Sequence, residues 1–175
     1  VKLRHDRPSH IVALALAVLV TAGCAIESAE HRRARLSAIE RLAEIRARLP
    51  QFHEDSLVRA RDANNRVVFR AWFDGPQLAI LHEEVRFDSG VRGRDRFYLV
   101  DGALLACSTS YHRSQGTYRD METAVLFDAK GHPLIGWVEI DGRRRFPPAR
   151  TLETIRAMNE RTIHEFWDDY ASARP

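Results

Sequence analysis

The sequence predicts an α+β fold: an antiparallel meander of about seven strands bracketed by an N-terminal and a C-terminal amphipathic helix. Three observations predict it. Apolar residues recur every three or four positions over 27–49 and again over 151–170, the period of a helix with one buried face. Between Ser56 and Phe146 the period shortens to two, as in strands whose faces differ. Clusters of Asn, Asp and Gly interrupt that stretch about every ten residues, where a hairpin must turn.

The chain opens with Lys2, Arg4, His5 and Arg7, followed by an unbroken apolar run from Ile11 to Val20 and small residues up to Cys24. The run is about half of the roughly 20 residues that cross a bilayer, so it reads as the apolar region of a signal peptide rather than a membrane span. Thr21-Ala22-Gly23-Cys24 resembles the lipobox of bacterial lipoproteins, with Thr21 where that pattern most often has leucine. The resemblance implies cleavage before Cys24 and a diacylglyceryl thioether on its sulfur, with a third acyl chain usual on the new N-terminus. Two or three such chains make a tether effectively permanent. Ala25 follows the cysteine where an Asp would signal retention in the inner membrane, so the resemblance implies the outer membrane, facing the periplasm. On this reading 1–23 is a lipoprotein signal peptide and 24–175 a single soluble domain, with its first helix in 24–50, its sheet in 56–146 and its second helix in 151–170.

Leu36, Ile39, Leu42, Ile45 and Leu49 form the apolar stripe of the first helix, and Pro50 ends it. Glu44 and Arg48 have the spacing of a supporting ion pair. The stripe lasts about two heptads, short of the three or four of a coiled coil, so packing against the sheet is expected. The strands read as Leu57 to Arg61, Arg66 to Phe73, Leu78 to Asp88, Arg94 to Val100, Leu104 to Ser110, Thr123 to Asp128 and Leu134 to Ile140. Asp62-Ala63-Asn64-Asn65, Asp74-Gly75-Pro76, Ser89-Gly90, Asp101-Gly102 and Lys130-Gly131 supply the turns, Asp101-Gly102 with the firmest hairpin signal. Short turns make sequence neighbours spatial neighbours, hence a meander. The connection from Tyr111 to Met121 is longer and polar, the kind of loop that carries function or moves. After Pro147-Pro148, Thr151 is placed to cap the second helix, whose stripe is Leu152, Ile155, Met158, Ile163, Phe166 and Tyr170. Two such helices are expected to cover the apolar face of the sheet and to leave the opposite face partly wet.

Formal charge is +3 over the 175 residues. Lys2, Arg4, Arg7 and Asp6 account for much of it before the cut, so no strong field remains to recruit nucleic acid. The 27 Lys plus Arg include only Lys2 and Lys130 as lysines, a skew that accompanies abundant alanine and reflects base composition. With Cys24 lipidated, Cys107 has no partner in the chain, and its apolar strand argues for a buried, inert thiol.

Chemistry is sparse. His82, Glu84 and Arg86 share one face of a strand, and a meander brings Arg70 and Trp72 to one side of them and Arg96 and Tyr98 to the other. These residues, with Tyr111 and His112 of the long connection, are the candidate ligand-binding set: His82, Glu84, Arg86, Tyr98, Tyr111 and His112. His82-Glu83-Glu84 lacks the second histidine of the zinc-protease motif, and the other histidines have no ligand spacing, so no metal site or cofactor is expected. No Gly-x-Ser-x-Gly elbow and no phosphate-cradling loop occur. The expected function is a non-enzymatic, membrane-tethered envelope lipoprotein that binds an envelope protein, lipid or cell-wall component. The competing expectation is a periplasmic hydrolase or transferase with a site around His82, Glu84 and Tyr98.

Overall fold

The computed structural model describes residues 28–60, 66–86, 91–113 and 120–174. The signal segment, Cys24, the turns at Asp62–Asn65 and Ser89-Gly90, and 114–119 of the long connection lie outside the described residues. Helix α1 spans Ala29–Arg48, followed by a 3-10 turn at Leu49–Gln51. Eight strands follow: β1 His53–Ala60, β2 Arg66–Asp74, β3 Gln77–Arg86, β4 Val91–Val100, β5 Ala103–Arg113, β6 Met121–Phe127, β7 Pro133–Ile140 and β8 Arg143–Arg145. Helix α2, Ala149–Ser172, completes the chain. The strands form one antiparallel sheet in sequence order, β1 to β8, which is the expected meander with eight strands rather than seven.

Local chemistry explains the boundaries. Ser28 caps α1, its hydroxyl accepting the His31 N–H at 3.1 Å. Arg48 does not turn back to Glu44 but reaches Asp74 at 2.7 Å, pinning the end of α1 to the β2–β3 turn. Asp101 and Gly102 sit at φ +52° and +79°, the left-handed pair that a two-residue hairpin loop requires. Asp141 and Gly142, at +51° and +73°, repeat the device and create the short eighth strand. The β6–β7 turn is organised by Asp128, whose carboxylate accepts the N–H groups of Lys130 and His132, both at 2.8 Å. Partial burial opposes ionisation of Asp128, but these bonds and the His132 ring outweigh it and hold its pKa below the usual carboxylate value. Thr151 is not the cap of α2: the helix begins two residues earlier, after extended Pro148, whose carbonyl accepts the Thr151 N–H at 2.9 Å.

Adjacent residues of each central strand belong to opposite cores, because successive side chains point to opposite faces. Leu81, Phe97, Cys107 and Val125 pack with Leu152, Ile163 and Phe166 of α2. Ile80, Tyr98, Ala106 and Leu126 pack with Ala38 and Leu42 of α1. The helices therefore lie on opposite faces of the sheet, each burying its own stripe, instead of sharing one face. Both helices cross the same end of the strands. His31 Nε2 of α1 lies 2.9 Å from the Leu134 carbonyl of β7, and on the other face Arg156 of α2 donates to the Gly131 carbonyl at 3.1 Å.

The stripes differ from expectation in register. Leu36 and Leu49 are exposed and Ala38 is buried, since a methyl lets α1 approach the sheet closely. In α2, Met158 is exposed and Asn159 takes the inward position, giving a regular series through Leu152, Asn159, Ile163 and Phe166. Gly136 of β7 sets the distance of α2. A Cβ there would stand 2.6 Å from Leu152 Cδ2, 3.1 Å from Val125 Cγ2 and 3.2 Å from the Ala124 carbonyl oxygen. Gly136→Ala is therefore expected to cost about 1–3 kcal/mol by overpacking, read as a lower urea midpoint at unchanged m-value.

Candidate functional site

The α1 side of the sheet carries most of the candidates. Register places Arg70, His82, Arg96, Ser108, Ala124 and Trp137 in one row across six strands. The next row away from α1 holds Val68, Glu84, Arg94, Ser110 and Glu122, and beyond it Arg66, Arg86, Arg92 and His112 align. His82, Glu84, Arg86 and His112 are thus brought together on one face. Tyr98 is not with them: it is buried beneath α1 in the cluster with Ala38 and Leu42. Tyr111 stands in β5 rather than in a loop and faces the α2 side, where its ring covers Gly93 so closely that a Cβ there would lie 2.6 Å from Cε1.

His82 packs edge-on against Trp72, ring centroids 4.6 Å apart. Burial, then the positive charges of Arg96, Arg70 and Arg94, push its pKa down to about 3. The imidazole is neutral at physiological pH and a weak base, which argues against general-base chemistry at this position. Glu84 is held by Arg86 at 2.9 Å, and His112 lies 3.7 Å from Asp120 and 4.0 Å from Glu122. At the far edge of the face the Arg144 guanidinium covers the Trp137 ring at 4.1 Å and pairs with Glu139 at 2.8 Å. The Trp137 Nε1 donor is buried and finds no acceptor among the described residues. Arg66, Arg70, Arg92 and Arg94 make no ion pair among the described residues.

Sequence reasoning missed a polar row on the other face. Glu83, Asp95, Thr109 and Thr123 occupy consecutive register positions across β3 to β6, on the side that α2 covers. Glu83, Asp95 and Thr123 are all buried. Burial pushes the Asp95 carboxyl up to about 6, against hydrogen bonds from Thr109 and Tyr111 that favour its ionised form. Nearby Cys107 is buried as expected, and burial drives its thiol up to about 12, with Asn159 pulling the other way. That neighbourhood leaves the Asn159 Nδ2 without a formed hydrogen bond among the described residues. The signal was available in the alternation: Glu83 lies between Leu81 and Val85, and Asp95 two residues before Phe97, at apolar-face positions.

Two depressions are lined by described residues. One, of about 300 Å³, lies between α2 and two turns and is lined by Gly102, Lys130, Arg156, Ile163, His164 and Trp167. The other, of about 360 Å³, is lined by Ile140, Asp141, Arg143 and Arg145 at the β7–β8 hairpin. Among the described residues no three His, Cys, Asp or Glu side chains converge as metal ligands, and no helix is long and apolar enough to cross a membrane. No known protein family, curated protein or solved structure matches the chain.

Proposed function

We propose that the protein is an envelope lipoprotein, cut before Cys24 and held at the outer membrane, facing the periplasm, by acyl chains on that cysteine. Its folded part is a binding module rather than an enzyme. The observation that carries the anchor is the ten-residue apolar run Ile11 to Val20 followed directly by Thr21-Ala22-Gly23-Cys24. The binding role is supported by the open part of the α1-side face, where the solvent-exposed Arg66, Arg70, Arg92 and Arg94 make no ion pair among the described residues. The alternative of a hydrolase or transferase built on His82, Glu84 and Tyr98 has little behind it, because Tyr98 is sealed under α1 and the His82 imidazole is a poor proton acceptor.

Cys24→Ala is expected to move the protein from the membrane fraction to the soluble periplasmic fraction or to leave it as uncleaved precursor. Mass spectrometry of the wild-type chain should find Cys24 as the first residue, carrying fatty acid. A mature chain that begins elsewhere, or that lacks acyl mass, would exclude the anchor.

A further inference from the structure

We propose that the arginine strip on the α1 side is a docking surface for the phosphate head groups of the bilayer that carries the tether. The proposal deepens the lipoprotein reading and rests on it for the location of the bilayer. Beyond the part of this face that α1 covers, β2 to β4 present Arg66, Arg70, Arg86, Arg92, Arg94 and Arg96 against the single acid Glu84. Arg86 stands directly across from both Arg66 and Arg92. Like charges directly opposed in a sheet weaken it, so the arrangement costs folding stability that an anionic layer would return. A guanidinium suits that role because its fork of donors matches phosphate oxygens two at a time.

The occupant follows from where the charge lies relative to the tether. Helix α1, on the same face, holds six arginines against three glutamates, whereas α2, on the opposite face, holds three arginines against five acids. The helix on one side of the sheet is thus net positive and the helix on the other net negative. From Cys24 to Ala29 the chain can span at most about 18 Å, so the tether joins the body at α1, on its positive side. Negative phosphates at the bilayer surface attract that side and repel the other. Val58, 52% exposed and paired with Val68 on this face, adds an apolar side chain of the kind that settles among head groups.

The test uses the lipidated chain purified from membranes and reinserted through its acyl chains into vesicles of phosphatidylcholine, or of phosphatidylcholine with phosphatidylglycerol. Phenylglyoxal modification of individual arginines is followed by mass spectrometry. Arg70, Arg92 and Arg94 are expected to react about fivefold more slowly on the anionic vesicles, the factor that one surface-held arginine is worth, and to recover in high salt. Arg150 and Arg161 of α2 should react equally on both. Equal rates for the strip on both vesicles overturn the proposal. Protection by soluble polyphosphate with none from the anionic bilayer overturns it too, in favour of a soluble polyanion. The anchor fails separately: a chain without acyl mass ends that reading. Its sedimentation with anionic and not zwitterionic vesicles, or the lack of it, then decides the strip alone.

Discussion

Phe166→Ala is expected to lower the stability of the folded chain by about 3–5 kcal/mol, the range for truncating a fully buried aromatic side chain. Phe166 is 1% exposed and is the point at which α2 is fastened to the sheet. Its ring meets Phe69 of β2 edge-on at a centroid separation of 5.6 Å and lies 5.5 Å and 5.3 Å from Trp167 and Tyr170 of its own helix. Phe73 joins the cluster through Trp167 and Tyr170, at 6.1 Å and 5.6 Å. Removing the central ring takes away apolar contact on every side and leaves a cavity that rigid aromatic neighbours cannot close. The end of α2 would not detach, because the Tyr170 hydroxyl still donates to Asp55 of β1 at 2.9 Å and Arg174 pairs with the same carboxylate. Urea unfolding followed by tryptophan fluorescence measures the effect, since Trp167 reports directly on this cluster. A loss under about 1 kcal/mol would mean that α2 contributes little to the fold, contrary to the cavity argument.

The same α2 interface shows what could and could not be read from the sequence. The meander was legible because its turns are chemical: Asp101-Gly102 can take the left-handed pair of angles that closes a two-residue hairpin, and few other dipeptides do so readily. The row of Arg70, His82 and Arg96 was legible because neighbouring strands of a meander must pair. The edges were not. β1 begins at His53, well before its apolar residues, and β8 is Arg143–Arg145, since an edge strand with little to bury has no alternation to display. Cover on both faces was hidden by bulges. Pairing shifts register at Trp72/Phe73, Tyr98/Leu99 and Leu126/Phe127, all at the helix-covered end. Leu78-Ala79-Ile80-Leu81 and Leu104-Leu105-Ala106-Cys107 therefore read as plain apolar runs, although Leu78 and Leu81 face α2 while Ala79 and Ile80 face α1. Asn159 was missed for a different reason: Met158 is the better hydrophobe, but the rotation of the helix follows the whole stripe rather than any single side chain.

The buried polar row makes the second large prediction, and its sign follows from proton linkage. The Asp95 carboxyl has an ordinary value of 3.8 in the unfolded chain and about 6 when folded, because burial disfavours its charge. The folded state thus keeps its proton over a range of pH in which the unfolded state has released it. Stability from the neutral carboxyl is present in full below the unfolded value and is lost as pH rises through the folded one. The two values imply a loss of about 3 kcal/mol by neutral pH. Asp95→Asn removes the charge at nearly constant volume and keeps an oxygen that can accept one of the hydroxyl bonds from Thr109 and Tyr111. The variant is therefore expected to be more stable than the wild type at pH 7.5, by about 2–3 kcal/mol, and the gain should shrink toward zero near pH 4. Urea midpoints at pH 7.5, 6 and 4.5 measure this directly. A variant less stable than the wild type at every pH would mean that the hydroxyl bonds hold an ionised Asp95 more strongly than burial opposes it. The physical content of the test is which influence prevails beside Glu83, the carboxylate directly across the β3–β4 pair.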